Sequence, residues 1–148
     1  MRSLLICALV LPMLTGLASA GENLKLNPKL DYTSDSEDGP LITGDKMDAG
    51  VVSGKPAYVI IYGEACYNSK RQARRTVSLY EKYKRRVQFV VVDLNAYQSR
   101  AQQELRNKYF RGSIPHVVVL DSSGTALYNA AGEIDEAKIS SLLDQALR

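Results

Sequence analysis

Beyond its first twenty residues the chain has a single cysteine, Cys66, and a single histidine, His116. One thiol cannot close an intramolecular disulfide, and one thiol with one imidazole falls short of a closed metal site. The other cysteine, Cys7, lies within MRSLLICALVLPMLTGLASA, where Arg2 forms a short positive region, Leu4 to Leu14 an apolar run, and Ala18-Ser19-Ala20 a small-residue end. This is the pattern of a secretory signal peptide, cleaved near Gly21, and Cys7 is expected to leave with it. A lipid anchor on Cys7 is not expected, because Ile6 precedes it where a small residue is wanted. A second long apolar run is also lacking, since nothing after residue 20 approaches the roughly 20 apolar residues of a spanning helix. The mature chain is therefore expected to be exported, periplasmic in a Gram-negative bacterium and secreted otherwise, with no membrane attachment after cleavage. Its stability must come from packing.

Charge of one sign is lacking as well. Residues 21 to 50 hold seven acids and three bases, while residues 51 to 148 hold nine acids and fifteen bases. So mild a basic balance does not point to nucleic acid. What remains of the 148 residues suffices for one domain and is too short for two proper cores. Within it, residues 21–54 read as an acidic, flexible leader. DYTSDSEDGP is rich in turn formers and has no periodic apolar face, and a short helix is conceivable only over Asp45 to Val52.

From residue 55 onward the pattern is regular. Ala57 to Tyr62 is a continuous apolar, β-branched and aromatic run between Pro56 and Gly63, as in a strand buried on both faces. From Cys66 to Arg86 there is no Gly or Pro, and Ala73, Val77, Leu79, Tyr80 and Tyr83 fall on one face of a helix whose other face is basic. Val87 to Val92 is a second buried strand, and Gln98 to Phe110 a second helix. His116 to Leu120 and Thr125 to Asn129 form a hairpin across Asp121-Ser122-Ser123-Gly124. Glu133 to Leu147 is a closing amphipathic helix. Parallel strands joined through helices, then a hairpin and a covering helix, predict an α/β three-layer sandwich: a central mixed β-sheet with helices on both faces.

This order resembles the thioredoxin-like fold, and three segments over residues 55–148 match it in sequence. A buried strand runs into Gly63-Glu64-Ala65-Cys66-Tyr67-Asn68-Ser69-Lys70, similar to the family's C-x-x-C-K active-site segment. Gly112-Ser113-Ile114-Pro115-His116 is similar to the family's cis-proline loop. Val117 to Gly124, followed by Gly132, is similar to its final hairpin. The departures are that Ser69 stands at the second cysteine, Ala65 at the usual tryptophan, and Ile60 at the buried acid. A self-contained dithiol cycle is thereby excluded.

The resemblance implies thiol–disulfide exchange of a monothiol, C-x-x-S kind. A cysteine at the first turn of a helix is well placed to ionise, because free N–H groups and the helix dipole favour a thiolate. Lys70, Arg71 and Arg74 are expected to add positive charge, and Ser69 to donate a hydrogen bond to the sulfur. Cys66 and Ser69 are thus the candidate catalytic pair. Ile114 and Pro115 are the expected substrate-binding edge, joined by Tyr67 beside the cysteine. His116 is a candidate supporting residue, although strand alternation can turn it away. Partners are expected to be disulfide- or thiol-bearing exported proteins, or a small thiol as resolver, and an odd cysteine also permits a Cys66-linked dimer. No cofactor and no metal are expected. The alternative is a redox-inactive binding module that uses the same groove.

Overall fold

A computed structural model of the chain describes residues 20–36 and 39–148. The signal-peptide expectation, Cys7 included, lies outside the described residues except for Ala20. The elements are β1 (Glu22–Leu26), β2 (Ile42–Asp45), β3 (Ala57–Tyr62), α1 (Tyr67–Tyr83), β4 (Gln88–Asp93), α2 (Arg100–Tyr109), β5 (His116–Leu120), β6 (Ala126–Ala131) and α3 (Glu136–Ala146). Among the described residues no helix is long and apolar enough to cross a membrane.

The central sheet has the order β4-β3-β5-β6. β3 runs parallel to β4, which requires the crossover through α1, and antiparallel to β5, which pairs antiparallel with β6. Because side chains alternate across a strand, even the fully buried β3 serves two cores. Tyr58, Ile60 and Tyr62 join Phe89, Val91, Val117 and Val119 under α1 and α3. Ala57, Val59 and Ile61 join Val90, Val92, Val118 and Leu120, with Tyr109 of α2 on the opposite face. The three-layer α/β sandwich expected from the sequence is the one observed.

The acidic leader departs from expectation. Its described residues, 21–36 and 39–54, form no detached tail: β1 and β2 pair antiparallel, and Leu24, Leu41 and Ile42 are buried in the same core as Tyr58 and Phe89. Burying each such side chain contributes about 1.5–3 kcal/mol toward offsetting the conformational entropy lost when the segment is ordered. No helix forms over residues 45–52. A buried glutamine of α2 also holds this segment in place, since Gln102 Nε2 donates to Met47 O at 2.7 Å and to Val91 O on the edge strand at 2.8 Å.

Candidate functional site

The site forms where β3 ends and α1 begins. Gly63 is buried, and a Cβ there would lie 2.5 Å from Ile114 Cδ1, so any larger residue would have to displace the tip of that side chain. The chain turns at this point, the Cys66 amide donating to Gly63 O at 3.3 Å and the Glu64 amide to Asn95 Oδ1 at 3.0 Å. Cys66 is the N-cap residue of α1, with extended backbone (φ −89°, ψ 118°) and no side-chain capping hydrogen bond. It is half-buried and carries a free thiol.

The loop before β5 approaches the same turn. The Ile114–Pro115 peptide bond is cis, Pro115 is buried, and its carbonyl accepts from the Gly132 amide at 2.7 Å. Ile114 lies over Gly63, and its own N–H and C=O make no hydrogen bond among the described residues. Tyr67 is exposed next to Cys66, with the Arg71 guanidinium 5.7 Å from its ring centre.

The charges expected around Cys66 are engaged elsewhere. Lys70 is fully buried, and its ammonium donates to Asp31 O at 2.7 Å, Ser34 O at 2.8 Å and Ser36 Oγ at 2.9 Å. It anchors the leader instead of facing the sulfur. Arg71 and Arg75 both bind the Glu133 carboxylate, at 3.2 and 2.7 Å. Arg74 remains exposed beside them.

Ser69 departs from expectation in the same way. Its hydroxyl is completely buried and has no hydrogen-bond partner among the described residues, so it does not donate to Cys66 Sγ. The reason is geometric. Cys66 sits outside the helix as N-cap, while Ser69, three residues on, is turned inward with the buried face of α1.

His116 is not brought to the site. It shares the face of Val118 and Leu120, opposite to α1, and its ring lies edge-on to Phe110 at 6.0 Å. Its Nε2 is 2.7 Å from Asn129 Oδ1, and Nδ1 is buried without a partner among the described residues. No group of three His, Cys, Asp or Glu side chains that could hold a metal occurs among the described residues.

One contact had no sequence signal. The leader crosses the start of α1, and Asp35 Oδ1 accepts from the Tyr67 amide at 2.7 Å. A carboxylate from thirty-two residues upstream thus caps the helix end that would otherwise serve the Cys66 sulfur.

No protein-family profile matches the chain, and no curated protein matches it in sequence. Solved structures do match. Thioredoxin-2, a component of the malaria parasite protein secretion machinery, superposes with a TM-score of 0.52 at 18% identity, over 62% of this chain and 82% of that one. StoA from Bacillus subtilis gives 0.52 at 17% identity, over 62% and 84%. The exposed lipoprotein thioredoxin of Streptococcus pneumoniae gives 0.52 at 16% identity, over 63% and 86%. The chain has a thioredoxin-like fold.

Proposed function

We propose that this chain is an exported thioredoxin-like protein that carries out thiol–disulfide exchange through Cys66 alone. The observation that carries this reading is a half-buried thiol at the N-cap of α1, on a turn whose Gly63 both accepts from the Cys66 amide and packs under Ile114 of the cis-proline loop. A substrate polypeptide lies extended along Ile114 and Pro115. The Cys66 thiolate attacks one sulfur of the substrate disulfide, forming a Cys66–substrate disulfide and releasing the other sulfur as a thiolate. Ser69 has no sulfur with which to displace the substrate. An outside thiolate therefore attacks the mixed disulfide and regenerates the Cys66 thiolate. If the attacker is another substrate cysteine, the net reaction is isomerisation. Export is supported by the N-terminal signal pattern and by the likeness to a lipoprotein described as exposed.

A second reading has its own support. With Lys70 turned to the leader, Ser69 turned inward and Asp35 on the helix end, three aids to thiolate formation are withdrawn, which suits a redox-inactive module that binds peptides along the same edge. Mixed-disulfide formation between the purified protein and a small aromatic disulfide, followed from acid to alkaline pH, separates the two. Rapid reaction below pH 8, lost in Cys66→Ser, supports exchange. A folded protein whose thiol reacts no faster than a free cysteine removes the catalytic reading and leaves the binding one.

A further inference from the structure

The central sheet has two edge strands, β4 and β6, and they are covered differently. The Gln88 and Leu94 amides donate to Pro56 O and Tyr62 O, so along β4 it is the main-chain groups of Phe89, Val91 and Asp93 that point away from β3. Each of these outward carbonyls has a partner. Phe89 O accepts from the Gly21 amide at 2.9 Å, Val91 O from Gln102 Nε2 at 2.8 Å and Asp93 O from Gln98 Nε2 at 3.2 Å. The leader and the α2 region thereby close that edge to a further strand.

β6 has no such cover. The Gly132 amide donates to Pro115 O at 2.7 Å, which fixes the alternation of the ladder. Tyr128 and Ala130 turn their main-chain groups to Val119 and Val117 of β5, and those of Asn129 and Ala131 point outward. Both residues are exposed, and their outward groups have no partner among the described residues. The register irregularity lies opposite Val119 and Leu120, at the turn end, and leaves residues 128–131 regular. Exposed edges are ordinarily blunted by charged side chains or proline, yet residues 124–132 contain neither. Along α3, Glu136, Ser140 and Asp144 face α1, so Lys138 and Leu142 lie on the flank toward β6, the Lys138 ammonium 5.6 Å from the Tyr128 ring centre. Tyr128 and Leu142 are half-buried apolar side chains beside the open main chain.

We propose that β6 pairs antiparallel with β6 of a second copy of this chain. The strand is self-complementary about Ala130: Asn129 of each copy meets Ala131 of the other, each pair exchanging both main-chain hydrogen bonds. Ala130 stands opposite its own counterpart, where its small side chain lets the strands approach, and Tyr128 stands opposite Gly132. No like charges oppose each other across the paired strands. The Asn129 side chain, bound to His116 Nε2, is held back on its own sheet face. The two four-stranded sheets become one continuous sheet, and Tyr128 and Leu142 lose part of their remaining exposure. One short strand and one helix flank bury less than the about 800 Å² per partner of a standard interface. The dimer is therefore reversible, with a Kd on the order of 10–100 µM. It does not involve Cys66 and stands apart from the exchange reading.

Sedimentation equilibrium and amide hydrogen exchange on the purified protein test this, with a reductant present so that no Cys66-linked dimer contributes. A reversible monomer–dimer equilibrium is expected between about 1 and about 500 µM. The Asn129 and Ala131 amides should gain protection with concentration, more than those of Tyr128 and Ala130, which β5 already protects. Ala131→Pro removes an outward donor that the β5 ladder does not use, and should raise the Kd at least about tenfold with the sheet intact. If that variant does not fold, Ala130→Lys, which sets two ammonium groups against each other at the symmetry axis, should do the same. A protein that stays monomeric to about 500 µM overturns the proposal, as does a dimer that the folded variants leave unchanged or that protects other amides instead. So does a monomer whose Asn129 and Ala131 amides become protected only when reduced and alkylated ribonuclease is added, an outcome that gives the edge to extended polypeptides.

Discussion

Asp35 and Tyr67 are joined by a 2.7 Å hydrogen bond from the Tyr67 amide to the Asp35 carboxylate, which places a leader residue on the same helix end that Cys66 caps with its backbone. Helix N-terminal amides favour whichever anion reaches them. Under the exchange proposed for Cys66, its thiolate competes for this one with the carboxylate already in place.

Asp35→Asn removes that competitor while keeping an oxygen that can accept from Tyr67. The variant should lose about 0.5–1 kcal/mol of stability, the typical worth of a charged group at a helix N-terminus. Its thiol should alkylate several-fold faster than wild type at pH 7. Denaturant unfolding and iodoacetamide kinetics read the two effects separately, and a variant that is less stable but no more reactive would show that Asp35 serves the helix alone.

Lys70→Met keeps the length of the side chain and deletes three hydrogen bonds to residues 31–36. Bonds from a charged donor are the stronger kind, and their loss should cost about 2–4 kcal/mol. Hydrogen exchange and limited proteolysis should show residues 31–36 opening first, while β3 and β4 stay protected.

Acid should loosen the same segment. Hydrogen bonds from the Ser34 and Thr33 side chains, then the Thr33 amide, hold the Asp31 carboxyl at about 2 against an ordinary 3.8, with a smaller contribution from the Lys70 charge. A depressed folded value stabilises the fold fully above the unfolded value and is lost as pH falls through the folded one. Amide protection factors in residues 31–36 should therefore fall between about pH 4 and pH 2, before those in the sheet.

Ser69→Ala separates the arrangement expected from sequence from the one observed. A buried hydroxyl without a partner costs stability, so its removal should be neutral or stabilising by up to about 1 kcal/mol. Thiol reactivity should not change. Slower alkylation in the alanine variant would mean that the hydroxyl reaches the sulfur after all.

Tyr58 gives an alkaline counterpart. Its hydroxyl lies 2.8 Å from Thr76 Oγ1 and accepts from Gln72 Nε2 at 3.3 Å in the core between β3 and α1. Burial, only partly opposed by these hydrogen bonds, raises its ionisation to about 12 from 10.0. A raised folded value stabilises the fold below the unfolded value and is lost as pH rises through the folded one. Unfolding should set in between about pH 10 and 12, with a late step in the phenolate absorbance.

Most elements after residue 55 were legible because their patterns are local. Continuous β-branched runs between Gly and Pro, an uninterrupted helical stretch after Cys66, and an Asp-Ser-Ser-Gly turn each specify an element through its own periodicity. The leader strands were harder to see. Leu24 and Leu26 do alternate with Lys25, but Leu41 and Ile42 are a pair without period, and turn-forming acids between them read as a coil. Both strands are held by distant residues of the core, not by any propensity of their own.

The sequence by itself determined the layer order, the place of Cys66 at the end of a buried strand, and the serine, Ser69, that stands where a resolving cysteine would follow it. Each follows from residue identity and spacing along one stretch of chain. Only the tertiary structure decided where the charges and hydroxyls around that cysteine point. It turned Lys70 toward the leader, Arg71 toward Glu133, Ser69 into the core and His116 to the far face of the sheet, and it brought Asp35 to the helix end. Which face of an element is buried depends on what lies against it. A polar side chain's partner, thirty to sixty residues away in sequence, leaves no local mark on the chain.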